Sequence, residues 1–528
     1  MAKSPEPGVK TFDEAVSLTG IGKFNLFVLL ATGGSLMCVI IETMSAMFVT
    51  PAAQCDLNLS LGQKGLLYSI SFFGVVSGSF LWGYLADTKG RKLVTIISLI
   101  TSSIISIIGS FVSTVWLFIL LRYLNGFFVG GSSAIIYAYA GEFHDNKCRP
   151  KVVSWIATFV AFGNIYLPGL AWVILPQEWS LNLPFDIYFR PWRLLIIIYS
   201  LPSLVFLILV IFLPESPKYL MAQGKHQEAF EILQLIFTVN TGKKREEYPV
   251  KKILWEDEGN VNHKANESVL NSIWEQFVPL FKKRFILKTF MVCFLQFAIF
   301  LSSSAVIMWY PEILNSMTEL GKKLPDNEIT LCKAVLYSDD TDDVTLDNFY
   351  VESALINYQN RTSRAIMSKV CNDNVNEEVF LTSLVIGCCY AICYITIGSV
   401  INIIGARKLL SGFILFTTIS GICAQMLNSY LYIQVALCIF LMAATGVGIV
   451  NAIVVDLYPT QIRGMALAVS LMFGRFGAMT GSNAIGPILF NFCDYLFYAI
   501  AALHAVVIIV IILLPTNKST PQNTKEIS

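Results

Sequence analysis

Hydrophobic and polar positions alternate along the chain in long blocks, not with the short period of a half-buried strand. Apolar runs occupy residues 24–50, 65–86, 93–112, 115–140, 152–175 and 192–213. A polar stretch follows at 214–284. Six more runs come after it, at 285–311, 380–403, 409–426, 430–457, 465–490 and 494–514. Each is long enough to cross about 30 Å of hydrocarbon as a helix. A backbone in lipid must satisfy its own hydrogen bonds, so the runs predict an all-α membrane protein of twelve transmembrane helices in two six-helix halves. The expected layout is a cytosolic N-terminus at 1–23, an N-terminal half at 24–213 and a cytosolic central segment at 214–284. A C-terminal half at 285–514 includes an extracytosolic loop at 312–378, and a cytosolic tail covers 515–528.

Composition agrees with that pattern. Of 528 residues, 55% are hydrophobic and 14% charged, with a net charge of +1. Soluble domains carry about 25% charged residues, and a near-zero net charge gives no footing for nucleic acid. The short loops set the expected orientation by their basic residues. Lys89, Arg91 and Lys92 lie between spans 2 and 3, Lys147, Arg149 and Lys151 between spans 4 and 5. Arg407 and Lys408 lie between spans 8 and 9, and Arg463 between spans 10 and 11. Loops after spans 3, 9 and 11 hold no Lys or Arg. Both termini and the 214–284 segment are therefore expected in the cytosol, in a plasma or vesicle membrane. The 312–378 segment, with 13 acidic and 6 basic residues, is expected on the other side. There Asn360 of Asn360-Arg361-Thr362 is the expected glycosylation site. Cys332 and Cys371 lie in the same oxidising loop and are expected to pair.

The halves repeat. Gly83 and Gly90 are seven apart and lead into Arg91-Lys92; Gly398 and Gly405 are seven apart and lead into Arg407-Lys408, at an offset of 315. Glu142 precedes Arg149 by seven residues, and Asp456 precedes Arg463 by seven, at an offset of 314. Duplicated halves of this kind build transporters that rock about a central site.

Gly83, Asp87, Gly90, Arg91 and Lys92, with Arg122, Glu142, Arg149, Glu215, Arg407, Asp456 and Arg463, are read as a cytosolic gate of weak surface charges that forms and breaks. Ionisable residues inside the apolar runs are costly and mark function. Glu42 in span 1 suits a proton or cationic group. Arg475 in span 11 suits a carboxylate held in a bidentate grip. Tyr137, Trp309 and Tyr310 are aromatics placed to stack on a solute. No zinc-type ligand spacing and no phosphate-binding Gly-rich loop with Gly-Lys-Ser/Thr occurs, so neither a metal nor an ATP cofactor is expected, and no catalytic constellation can be assembled.

The Gly83–Lys92 run resembles the signature loop of the major facilitator superfamily. Arg122 followed by Gly126, Gly130 and Gly131 resembles its fourth-span motif. Pro214-Glu215-Ser216-Pro217-Lys218-Tyr219-Leu220 is similar to the motif after span 6 in sugar porters and organic-ion transporters. Phe80-Leu81-Trp82-Gly83, Pro191-Trp192-Arg193, Gly224-Lys225-His226-Gln227-Glu228-Ala229 and Trp309-Tyr310-Pro311-Glu312 resemble the synaptic vesicle glycoprotein 2 family. Where that family commonly has a second acid in span 1 this chain has Val39, and where its best-known members have a Trp in span 5 it has Val160. The resemblance implies a secondary transporter of a small organic solute, organic ions favoured, working as a monomeric unit with a possible coupling proton. The rival expectation is a non-transporting regulator that keeps the fold and binds a partner.

Overall fold

The computed structural model describes residues 9–145, 148–184, 187–254, 278–323, 329–336, 375–458 and 460–514. Span 1 is Lys23–Ala53, broken at Ser45 into two helices. Spans 2 to 6 are Leu61–Lys89, Arg91–Ser110, Val115–Gly141, Arg149–Ile174 and Pro191–Phe212. Spans 7 to 9 are Ile286–Lys323, Glu377–Ile404 and Ala406–Met426. Span 10 is Tyr430–Leu441 and Gly446–Leu457 joined by a tight 3-10 turn. Spans 11 and 12 are Thr460–Asn491 and Leu496–Leu513. Among the described residues, eleven helices are both long and apolar enough to cross a membrane. Span 11 is not one of them; it carries Arg475 and several Gly and Ser. Its 32 residues still reach about 48 Å at 1.5 Å per residue.

Span 7 runs twelve residues beyond the apolar stretch that ends at Pro311 and stops at Lys323. Pro311 does not end it, because helices in a bundle tolerate Pro where neighbours satisfy the freed groups. The extension buries Ile313, Leu314, Met317 and Leu320, a helical spacing of one face. The expected extracytosolic loop therefore begins as helix.

Each half closes its own chain. Span 2 packs on span 4, span 3 on spans 4 and 6, and span 1 on spans 4, 5 and 6. In the C-terminal half, span 7 packs on span 11 and span 9 on spans 10 and 12. Across the halves, span 2 meets span 11, span 5 meets span 8, and the second piece of span 1 meets span 7. Gly74 and Gly126 permit the span 2–span 4 contact: a Cβ on Gly126 would stand 2.2 Å from the Ser71 carbonyl oxygen. Gly477 and Gly481 do the same for span 11 against span 7.

The buried cores are distributed unequally. One hydrophobic cluster runs through both halves at the end away from the basic loops, joining Phe48, Tyr68 and Trp192 to Trp309, Phe380 and Leu489. At the basic-loop end there are two clusters, one drawn from residues 12–253 and the other from residues 280–514. Among the described residues, the halves thus share one apolar core at one end, the sealed end, and keep two at the other.

The chain before span 1 and the segment after span 6 are built into the basic-loop end. Val9–Thr11 pairs in parallel with Lys252–Leu254. Helix Phe12–Ser17 opens with a capping box, in which Thr11 and Glu14 satisfy each other's backbone N–H groups. Tyr248 donates its hydroxyl to the Ala15 carbonyl at 2.7 Å. Helices Pro217–Ala222 and His226–Thr241 lie in the central segment.

Candidate functional site

Arg475 sits where the halves face each other at mid-depth. Its guanidinium donates to Ser79 Oγ of span 2 at 3.2 Å and to Ser133 Oγ of span 4 at 2.8 Å. Both serine hydroxyls donate to carbonyls of their own helices, Ser79 to Val75 and Ser133 to Gly130. Their oxygens are therefore free to accept from the arginine. Arg475 is half-buried, and among the described residues no carboxylate pairs with it. Tyr137 of span 4 is half-buried and near enough to interact electrostatically with it. Sequence reasoning named Arg475 and Tyr137 separately and missed the two serines, because the contacts join residues 342 and 396 positions apart.

Glu42 lies elsewhere. It is 2% exposed inside the N-terminal half, where Oε2 accepts from Ser106 Oγ of span 3 at 2.6 Å and Asn125 Nδ2 of span 4 at 3.1 Å. Arg122 is buried in the same cluster and donates to Ser45 Oγ at 3.0 Å, while Ser45 Oγ donates to the Glu42 carbonyl. Arg122 stacks on the Phe118 ring, 5.4 Å from its centre. Glu42 Oε1, Arg122 Nη2 and Asn125 Oδ1 have no partner. The expectation that Glu42 lines the solute path with Arg475 is corrected: the two occupy different sites, because Glu42 points between spans 3 and 4 and not between the halves.

The aromatics divide as well. Tyr310 lines a narrow apolar crevice between the halves, with Met47, Phe48, Asn164, Ser383 and Tyr390. Its hydroxyl is buried without a partner. Trp309 is fully buried, not set to stack on a solute. Its Nε1 donates to the Ser482 carbonyl at 2.9 Å, and its ring meets Tyr68 edge-on at 5.0 Å. In span 7, Gln296 is fully buried and donates to Asn451 Oδ1 at 2.7 Å, leaving Oε1 unpaired.

Arg91 bonds within the N-terminal half, and both Arg91 and Lys92 bond to Glu215 of the central segment. Gly90 joins spans 2 and 3 at φ +104° and touches Glu215, so that a Cβ would lie 2.2 Å from Oε2. Glu215 Oε1 accepts from the backbone N–H of Arg91 at 3.0 Å, and both its oxygens accept from Lys92 N–H at 3.2 Å. The carboxylate thereby caps the start of span 3, where the helix dipole favours an anion. Arg91 reaches Asp87 at 3.2 Å and Glu142 at 3.3 Å, and lies over the Tyr219 ring. Burial pushes the Glu142 carboxyl above its usual range, against the opposing pull of Arg91 and Ser216. Arg149 donates to the Gly141 carbonyl and Arg407 to the Leu514 carbonyl. Gly83 faces open space. The side chains of Asp456 and Arg463 lie outside the described residues, as does Asn360. The expectation that Cys332 pairs with Cys371 is corrected: Cys332 is bonded to Cys493. The short helix Leu331–Leu336 carries Cys332 back to the turn between spans 11 and 12. Among the described residues no cluster of His, Cys, Asp and Glu has metal-holding geometry.

Two six-helix halves with polar groups meeting between them form the architecture of membrane transporters that alternate about a central site. A family model described as Sugar (and other) transporter matches residues 43–332, and one described as Major Facilitator Superfamily matches residues 377–528. The chain belongs to the sugar (and other) transporter family within the major facilitator superfamily, a family of transporters and not of enzymes. It is 34% identical over 230 residues to synaptic vesicle glycoprotein 2B of Mus musculus, covering 43% of this chain and 34% of that protein. It is 28% identical over 333 residues to synaptic vesicle glycoprotein 2A of Homo sapiens, covering 60% of this chain and 45% of that protein. The chain thus matches less than half the length of these relatives. In solved structures, the inward open conformation of the xylose transporter XylE from E. coli aligns with a TM-score of 0.63 at 16% identity, covering 94% of this chain and 98% of that one. The partially occluded inward open conformation aligns at 0.61 and 15%, covering 94% and 100%. These likenesses show a shared fold.

Proposed function

We propose that this multi-pass membrane protein is a secondary active transporter of a small organic anion, working by alternating access with both termini in the cytosol. The observation that carries the reading is Arg475: a charged guanidinium between the halves, held by two neutral hydroxyls and paired with no acid among the described residues. A solute carboxylate would supply the missing charge through a planar two-point grip that Lys cannot make. The Glu42 cluster stands apart from that charge and has room for a proton, since Oε1 is buried and unpartnered. Glu42 is therefore the proposed coupling-proton carrier, and Arg122 the neighbouring charge that responds to its state. The basic loops support the cytosolic placement of the termini. The sealed end and the separate basic-loop end support a cytosol-facing state.

A second reading is a neutral, sugar-like solute. The buried Gln296–Asn451 amide pair with its free oxygen favours it, as do the xylose transporters of the same fold. Uptake of a mixed pool of organic anions and sugars into proteoliposomes, read by mass spectrometry, separates the two. The expected outcome is anion uptake lost by about 100-fold in Arg475→Ala and not restored in Arg475→Lys, since a charged bidentate contact is worth about 2–3 kcal/mol. Glu42→Gln is expected to keep solute exchange and lose stimulation by a pH gradient. Sugar uptake indifferent to Arg475 would favour the second reading, and no uptake at all would leave the regulator.

A further inference from the structure

At the sealed end one ion pair crosses between the halves. Lys64 Nζ of span 2 lies 2.5 Å from Glu312 Oε1 of span 7, and the two side chains are 12% and 19% exposed. Among the described residues it is the one ion pair that joins the halves. Tyr68 stands one helical turn further along span 2 on the same face and donates its hydroxyl to the other oxygen, Glu312 Oε2, at 3.3 Å. The Tyr68 ring then rests against Trp309, one turn before Glu312 on span 7. A neighbouring bond from Asn483 of span 11 to Ser69 completes the contact. By contrast, the Arg91–Asp87 and Arg91–Glu142 pairs at the basic-loop end stay within the N-terminal half.

We propose that Lys64 and Glu312 form a charge lock that holds this end of the solute path closed and must break in each transport cycle, a role that rests on the alternating-access reading above. A fully exposed pair would contribute little to such an equilibrium. This pair is largely withdrawn from water, so removing one partner strands the other in a site that disfavours a lone charge. Parting of the halves relieves the stranded charge by letting water reach it. Neutralising either residue therefore shifts the population toward the state open at this end, since a shift follows only from interactions that differ between two states. Exchanging the two charges restores the attraction and the closed state. Tyr68 positions the carboxylate and is expected to matter less, because its ring packing survives loss of the hydroxyl.

Ser383, two turns into span 8, is buried and lines the crevice between the halves that also holds Tyr310, two residues before Glu312. Introduced as Ser383→Cys, it reports opening by its rate of modification with a membrane-impermeant maleimide. The reagent is added to sealed vesicles on the side away from the basic loops, without solute. The same protein with Ser383 intact gives the background from the native cysteines. Labelling is expected to rise about tenfold in both Glu312→Gln and Lys64→Gln, and to return within about twofold of the parent in Lys64→Glu/Glu312→Lys. Unchanged labelling in the two single variants, or a double variant as reactive as the singles, would overturn the lock. If one single variant does not reach the membrane, the other and the exchange carry the result. The readout needs no transport, so a protein that moves no tested solute still answers it, and active transport with unchanged labelling would remove the lock alone.

Discussion

At Glu142, burial and pairing act in opposite directions. Arg91 Nε is 3.3 Å from Oε2, close enough for charge attraction but not aligned as a hydrogen bond, since Oε2 has no hydrogen-bond partner. The net direction is upward from 4.5, with burial the largest cause. The folded chain thus binds this proton more tightly than the unfolded chain does. By linkage, the contribution of Glu142 to stability is present below pH 4.5 and is lost as pH rises through its higher folded value. Glu142→Gln is expected to flatten that decline, so that its Tm matches or exceeds the parent near neutrality and the difference closes in acid. Thermal unfolding in detergent across this range measures it; a variant that falls further behind the parent as pH rises would contradict the sign.

Elements are joined by two glycines that the internal repeat placed in register. Gly90 and Gly405 both end one span and begin the next, at φ +104° and +89°, in a region that residues with a Cβ rarely occupy. Their surroundings differ: a Cβ on Gly90 would strike Glu215, while Gly405 faces open space. Gly405→Ala is expected to cost about 1–3 kcal/mol of backbone strain, and Gly90→Ala more, because it also displaces the carboxylate that caps span 3. Comparing the two Tm values tests this, and equal losses would remove the role of Glu215. A second link between elements is the Cys332–Cys493 bond, which ties the helix after span 7 to the turn before span 12. Peptide mapping under non-reducing conditions is expected to recover that pair. Cys493→Ser is expected to lose roughly 2–5 kcal/mol of stability, whereas Cys371→Ser would leave the mapped Cys332–Cys493 peptide intact.

Across the whole molecule, one shared apolar core at one end and two at the other make the assembly asymmetric about its middle. Rearranging that shared core and the Lys64–Glu312 contact is what opening the sealed end requires; among the described residues the basic-loop end has no such shared core to separate. Ser79, half-buried beside Arg475, is therefore expected to be modified as Ser79→Cys faster from the basic-loop side than from the other. Equal rates from both sides would mean that the sealed end opens as readily as the basic-loop end.

The sequence by itself determined the class of protein. Runs of about 20 apolar residues admit only helices in lipid, and the repeated Gly-and-basic loops marked two halves and the positions of Gly90 and Gly405. It also singled out Glu42 and Arg475, because a charge in an apolar run stands out locally, and Glu215 through the motif that carries it. The continuation of span 7 past Pro311 was missed: Ile313, Leu314, Met317 and Leu320 carry a helical spacing, but the polar residues between them break the apolar run. What only the tertiary structure decided is which of these residues meet. It separated Glu42 from Arg475, gave Arg475 two serine partners from the other half, turned Trp309 inward to a backbone carbonyl and paired Cys332 with Cys493. Each of those contacts joins positions more than 60 residues apart. Local pattern reports the solvent a side chain prefers; the direction in which a helix presents it is set by packing against neighbours that the chain reaches only after folding.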